Sequence, residues 1–324
     1  MAKLQDVAAK AGVSVTTVSR VINNYGYLGK ETVEKVNAAM RELNYLPSAV
    51  ARSLQGKRTN LVGLIFPGVS NPFFGELVEK LERRFFEKGY KVILCDSMSD
   101  REKEREYLRM LAANKVDGII TGTHNANIEE YEATGAAIIA FDRSISKNIP
   151  IVSSDNYAGG RMAAETLTRA GAKKIAILTG ENNPDYPTYK RYEGCADALS
   201  EKGMEAILYK CTQPTVALKT MQLKAILREG AADGYFCTDD LTALLLIGEA
   251  KKLFLDVPGD IKVVGYDATA YIRTYHPFLT TIAQPIEDAA ILMIDLMLRR
   301  IGNPDEAMER LYCLPVSLIR GETA

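Results

Sequence analysis

Apolar positions along the 324-residue chain follow two rhythms, and the change falls near residue 60. In the first stretch the spacing is three and four. Leu4, Val7, Ala8 and Ala11 share one face of a short helix, and Val18, Val21 and Ile22 do the same over 15–23, leaving Thr16, Thr17, Ser19 and Arg20 on the polar side. Gly12-Val13-Ser14 supplies the turn between them: glycine reaches positive φ, Val13 plugs the core, and the Ser14 hydroxyl caps the next helix. After Gly26 and Gly29, the spacing of Val33, Val36, Met40 and Leu43 predicts a third helix over 31–44. Three short helices around one small core, with a glycine turn between the first two, predict a helix-turn-helix.

From Leu61 onward, short apolar runs alternate with helical stripes. Strands are predicted at 61–66, 91–95, 118–121 and 137–141, and again at 174–178, 206–209, 234–237 and 261–264. Among the intervening helices, 72–88 aligns Phe74, Leu77, Val78, Leu81 and Phe85, and 239–254 is a second; a helix over 286–300 precedes one last strand near 312–318. Such alternation implies α/β lobes on parallel sheets covered on both faces. The predicted fold class is an all-α helix-turn-helix head plus an α/β body.

Charge sharpens the division. Residues 1–60 carry nine Lys/Arg against four Asp/Glu, a net of +5 in a chain totalling −1, so the rest carries −6. A basic head on an acidic body suits a head that meets phosphates and a body that does not. The second helix is the candidate reader: Arg20 for a bidentate guanine contact, Val15 and Thr16 for a thymine methyl. Lys3, Thr17 and Ser19 are candidates for phosphates, which position without specifying.

Several chemistries are disfavoured. Cys95, Cys195, Cys211, Cys237 and Cys313 contain no C-x-x-C pair, so neither a disulfide framework nor a thiolate metal site is expected. Two histidines, His124 and His276, leave little for a metal centre or a nucleophile–His triad. There is no dinucleotide fingerprint or Walker A motif, and Gly159-Gly160 is a weak signal alone. No metal, cofactor or enzymatic activity is expected. With no basic-then-apolar leader and no membrane-length apolar stretch, the expected location is the cytoplasm.

Ligands of open α/β sheets bind beyond the carboxyl ends of strands. Those ends carry Asn71-Pro-Phe-Phe74, Phe141-Asp-Arg143, Thr238-Asp-Asp240 and Gly265-Tyr-Asp267, with Arg191 following Gly180. Aromatic faces combined with Asp, Asn and Arg suit a sugar, whose C–H faces stack on rings while forked side chains take adjacent hydroxyls. Plainer roles are open to each: Phe73 as core, Asp239 as a helix cap, Gln284 as a hinge residue, Asp142 and Arg143 as a local ion pair.

The run Asp6-Val-Ala-x-x-Ala-Gly-Val-Ser-x-x-Thr-Val-Ser-Arg-Val-Ile-Asn23 resembles the head of the lactose/galactose repressor family, and Asn44-Tyr-Leu-Pro47 with Ala51-Arg-Ser-Leu-Gln-Gly56 resembles its hinge. Gly29 departs from the serine expected to cap the third helix. The resemblance continues through Ser154-Asp-Asn-x-x-Gly-Gly160, Arg191-Tyr-x-Gly194 and Thr280-Thr-Ile-x-Gln-Pro285. It implies a head over 1–47, a hinge helix and linker over 48–60, and an effector-binding and dimerisation body over 61–324. That body would be two Rossmann-like lobes of the periplasmic-binding-protein type, 61–157 with 285–309 and 158–284 with 310–324. It further implies that Phe73, Asp142, Arg191, Asp239, Asp267 and Gln284 line the effector cleft. Leu54, helped by Ala51, would wedge open a minor-groove step, with Lys57 near the phosphates.

The implied function is a homodimeric repressor of a sugar-utilisation operon, bound to a pseudo-palindromic operator and controlled by a small sugar or sugar phosphate. Stretches such as Ile151-Val-Ser-Ser-Asp-Asn156 and Thr238-Asp-Asp-Leu-Thr-Ala243 resemble sucrose-operon repressors, which points to a fructose-containing effector. Competing readings are a global carbon-catabolite regulator with a phosphoprotein corepressor and a sugar-converting enzyme on the same fold.

Overall fold

The structure, a computed structural model, describes residues 2–22, 25–45, 58–123, 125, 128–146, 148–181, 183, 184 and 186–324. The hinge positions Ala51, Leu54 and Lys57, and also His124, lie outside the described residues. The chain divides into two compact units, 1–59 and 60–324.

The first unit is built of α1 (Leu4–Ala11), α2 (Val15–Ile22) and α3 (Lys30–Glu42). Val7, Ala8, Val18 and Val36, drawn from the three predicted stripes, are buried at its centre together with Ala39, which none of those stripes contains. Gly12 takes φ 67° at the turn, and the Thr17 N–H donates to Ser14 Oγ at 3.1 Å, the cap expected of that serine. Without a serine ahead of it, α3 begins on the Gly29 carbonyl, which accepts from the Thr32 and Val33 N–H groups.

The second unit holds two six-stranded sheets. The first contains β1 (Leu61–Phe66), β2 (Lys91–Asp96), β3 (Gly118–Thr121), β4 (Ala137–Phe141), β5 (Ile151–Ser154) and β11 (Leu311–Leu314), in the order β11-β5-β4-β3-β1-β2. Every pairing in it is parallel. The second contains β6 (Ile175–Thr179), β7 (Ala206–Lys210), β8 (Gly234–Cys237), β9 (Lys262–Asp267), β10 (Thr281–Ala283) and β12 (Ser317–Ile319), in the order β12-β10-β9-β8-β6-β7. Only β12 runs antiparallel to its neighbour. In each sheet the chain starts inside, moves one place outward, then reverses past its starting strand, which leaves a crevice at the reversal.

Helices cover both faces: α4 (Pro72–Glu87), α5 (Arg101–Ala113), α6 (Glu130–Ala133), α7 (Asn156–Arg169), α8 (Tyr189–Ser200), α9 (Val216–Glu229), α10 (Asp240–Lys252), α11 (Ala270–Tyr275) and α12 (Ile286–Gly302). This coverage explains why β1 is buried over five of its six residues. On α4 the buried line is Phe73, Leu77, Leu81 and Phe85, which packs in one cluster with Met293 and Met297 of α12 against β1, β3, β4 and β5. Burying each such side chain contributes about 1.5–3 kcal/mol. Among the described residues no helix is long and apolar enough to cross a membrane, and no group of three His, Cys, Asp or Glu could hold a metal ion.

Two predicted features change. The single strand expected near 312–318 is split by Pro315, which has no N–H to give a ladder, into β11 and β12 in different sheets. The last passage between lobes therefore lies between Leu314 and Ser317, not at 310. Strands β5 and β10 escape an apolar-run criterion because Ser153, Ser154 and Thr281, all buried, are polar.

Candidate ligand cleft and candidate DNA-reading helix

The strand ends of the two sheets converge. Asn71 caps α4, accepting from the Phe73 N–H at 2.9 Å, and so fixes Phe73 and Phe74 beyond β1. Phe73 packs on Phe141 with ring centres 5.6 Å apart and meets Phe74 edge-on at 5.4 Å. These rings form one wall of a cavity of about 140 Å³ lined by Phe73, Asp142, Arg191, Asp239, Asp267 and Gln284. All six positions expected in the cleft thus come from separate strand ends to one place. Phe73 is at once core and wall, and Asp239 is at once wall and cap, accepting from the Thr242 N–H at 2.7 Å.

Arg191 is the hub. Its Nε donates to Asn156 Oδ1 at 2.7 Å and its Nη1 to the Thr238 carbonyl at 2.8 Å, while the guanidinium lies 3.8 Å from the centre of the Tyr266 ring. Asp142 stands 3.8 Å from Nη2 and Asp267 3.9 Å from Nη1, near enough to attract but beyond hydrogen-bond length. Two carboxylates thus share one cation without using its nitrogens fully. Helix α8 reaches this position because it touches α7 backbone to backbone. A Cβ on Gly160 would stand 2.0 Å from the Arg191 carbonyl oxygen, and one on Gly194 2.0 Å from that of Tyr157. Gly160 therefore marks a helix contact, while Gly159 makes room for the Tyr266 ring.

The carboxylates are held under strain. Asp142 (φ 47°) and Asp267 (φ 120°) adopt backbone conformations that non-glycine residues rarely take, which cluster at functional sites. Burial raises the pKa of Asp142, opposed by Arg191 and by hydrogen bonds from Ser153 Oγ and Asn156 Nδ2. Burial also pushes Asp267 well above the usual carboxylate range, against the attraction of Arg191. Gln284 ties the passages together: its Nε2 donates to Asp267 Oδ1 at 2.7 Å and its Oε1 accepts from Ser154 Oγ at 2.8 Å. Behind them Asp240, pushed up to about 7 by burial, accepts from the Ala268 N–H and Thr281 Oγ1.

Thr188 and Arg191 also border a wider chamber of about 600 Å³, with walls that include Ser99, Asn125, Tyr186 and Gln213. It lies beyond β2 and β3 of the first sheet, through Ser99 and Asn125, and beyond β6, β7 and β8 of the second, through Gly180, Gln213 and Thr238.

On the head, Val15, Thr16 and Arg20 are exposed, Thr17 and Ser19 partly so, and Lys3 is exposed at the start of α1. Lys3 uses its N–H on Asp6 Oδ2 at 2.7 Å, and Thr17 Oγ1 lies 2.8 Å from Ser14 Oγ. Arg20 Nε donates to the Tyr25 carbonyl at 3.3 Å, so part of its fork is spent on the following turn.

Residues 3–48 match the family described as bacterial regulatory proteins, lacI family, and 164–324 match the periplasmic binding protein-like domain. The sucrose operon repressor of Pediococcus pentosaceus is 54% identical over 323 residues, covering 99% of each chain. The chain belongs to the lacI family. This lacI-family protein is thereby a bacterial regulatory protein, not an enzyme. In structure it is similar to the lac repressor dimer bound to operator and the anti-inducer ONPF, with TM-score 0.83, 28% identity and coverage of 99% and 98% of the two chains. It is also similar to a periplasmic binding protein/LacI transcriptional regulator from Alkaliphilus metalliredigens QYMF complexed with D-xylulofuranose. That match has TM-score 0.73 and 32% identity, covering 82% of this chain and 98% of that one.

One expectation about the lacI-family cleft is corrected. Asp142 and Arg143 do not form a local ion pair; Asp142 faces Arg191. Arg143 is instead almost fully buried, 5.1 Å from the Tyr186 ring, and its two terminal nitrogens have no hydrogen-bond partner among the described residues. Burial holds its pKa down. The pleat was the available signal, since neighbours at a strand end point to opposite sides.

Proposed function

We propose that this chain is a sequence-specific DNA-binding repressor of a sugar-utilisation operon, controlled by a small sugar or sugar phosphate held between its lobes. It works as a homodimer on a pseudo-palindromic operator, in the cytoplasm. The observation that supports the reading most is the cavity itself: aromatic faces, carboxylates and a guanidinium arriving from six strand ends, in a chain that also carries an exposed polar helix on a basic head. The kinship with a sucrose operon repressor, and with a regulator complexed with D-xylulofuranose, supports a fructose-containing effector.

In this reading Arg20, Val15 and Thr16 address base edges, while Lys3, Thr17 and Ser19 position the head on phosphates. Leu54 and Ala51 open a minor-groove step and Lys57 meets the backbone. The ligand bridges Phe73, Asp142, Arg191, Asp239, Asp267 and Gln284, favouring one lobe arrangement over another. A coupling of about 1–3 kcal/mol between the sites changes operator affinity some 5- to 150-fold. The test has two arms. A thermal-shift panel of sugars and sugar phosphates should find a compound that raises the melting temperature of the protein, and that compound should alter retardation of operator DNA. Absence of preference for any duplex over random DNA across a range of salt, with and without these sugars, refutes the proposal.

A further inference from the structure

The geometry points to an effector of two sugar rings, one in the inner cavity and the other in the wider chamber against Tyr186. Ser99, Asn125 and Gln213 would be the residues that select for length. This rests on the proposed effector role of the cleft. The inner cavity, about 140 Å³, falls below the roughly 300–1,000 Å³ typical of small-molecule sites. The chamber that opens from it past Thr188 and Arg191 adds about 600 Å³, so a ligand confined to the inner space would leave most of the cleft to water.

The two spaces differ in chemistry as well as size. Inside, Arg191 and three carboxylates offer forked, charged contacts that fix one ring in one orientation. Outside, Ser99, Asn125, Thr188, Thr212 and Gln213 present hydroxyls and amides beside the Tyr186 ring, the surface a second polyol ring would meet. Asn125 is already oriented: its Nδ2 donates at 2.6 Å to the buried Glu104 carboxylate, which Thr123 Oγ1 and Tyr131 OH hold at 2.8 and 2.6 Å. That leaves the Asn125 Oδ1 to accept from a ligand hydroxyl. Ser99, after β2, and Gln213, after β7, stand on opposite lobes, so a second ring between them would also be gripped by closure.

The experiment titrates the full-length protein calorimetrically with fructose, glucose and ribose, and with sucrose, sucrose 6-phosphate, maltose and trehalose. At least one disaccharide, phosphorylated or not, is expected to bind ten or more times tighter than any monosaccharide. The double variant S99A/Q213A should then lose five- to tenfold in affinity for that disaccharide while its affinity for the component monosaccharides stays the same. A monosaccharide that binds as tightly as every disaccharide overturns this inference and leaves the effector role standing. So does an unchanged disaccharide affinity in the double variant. Failure of all seven compounds to bind overturns both.

Discussion

The contact between α7 and α8 offers the sharpest test of how the cleft is built. Replacing Gly194 by alanine puts a methyl 2.0 Å from the Tyr157 carbonyl oxygen, where ordinary contact begins at 3.4 Å. The helices must therefore part by about 1.4 Å, a shift of the size at which overpacking costs about 1–3 kcal/mol. Arg191 rides on α8 one turn earlier, and its 2.7 Å bond to Asn156 Oδ1 stretched by that amount exceeds any hydrogen-bond length. Losing a charged hydrogen bond adds about 1.5–3 kcal/mol. Gly194→Ala should lower the melting temperature by several degrees, at about 2–4 °C per kcal/mol, and weaken the best sugar of the panel at least tenfold. Gly248→Ala is the control: that glycine lies in α10 with nothing within 4 Å of its would-be Cβ, so alanine should be neutral or stabilise by about 0.5–1 kcal/mol. Differential scanning calorimetry and isothermal titration read both effects. Wild-type stability and sugar affinity in Gly194→Ala would refute the claim that this helix contact positions Arg191.

Arg191→Ala should retain operator binding but lose its response to sugar; response at the wild-type sugar concentration in a gel-retardation assay would remove Arg191 from the site. Arg20→Ala should cost about 1–3 kcal/mol at one base position and relax preference there, whereas equal loss on all sequences in a competition assay would make Arg20 a phosphate contact. Asp240 keeps its proton in the folded state to about pH 7 and loses it near 4 when unfolded, so its contribution is full below about pH 4 and is lost as pH rises to 7. Asp240→Asn, able to accept from the Ala268 N–H and donate to Thr281 Oγ1, should flatten the fall in melting temperature over that window. An unchanged slope would show that another group sets it.

How far the sequence reveals the cleft depends on what each residue does for the fold. The strands from Leu61 to Phe66 and from Gly118 to Thr121 are legible because a doubly covered parallel strand is apolar throughout. Ser153, Ser154 and Thr281 interrupt that signal because they serve Asp142, Gln284 and Asp240 instead of the core. The strand-end rule finds five of the six inner positions, since parallel sheets deliver their carboxyl ends to one side, whereas Gln284, after the unpredicted β10, comes only from the family resemblance. Ser99 and Gln213 sit in loops with no period, and nothing local distinguishes them. The meaning of Gly160 lies 31 residues away in the Arg191 carbonyl, a partner that no window around Gly160 contains.

The placement of β11 and α12 has a consequence for synthesis. Both belong to the lobe that begins at Leu61, yet they are made after nearly all of the second lobe, so a nascent chain exposes the apolar faces of β4 and β5 until about residue 314 has left the ribosome. The lobe translated first thus stays open until almost all of the second has been made, with only β12 and the last few residues still to follow. Truncating near residue 285 takes α12 and β11 from the first lobe and only β12 and the short tail from the second, so it should damage the beginning of the body more than its middle, and a chaperone that shields nascent sheets would find its target at Ile139 and Val152.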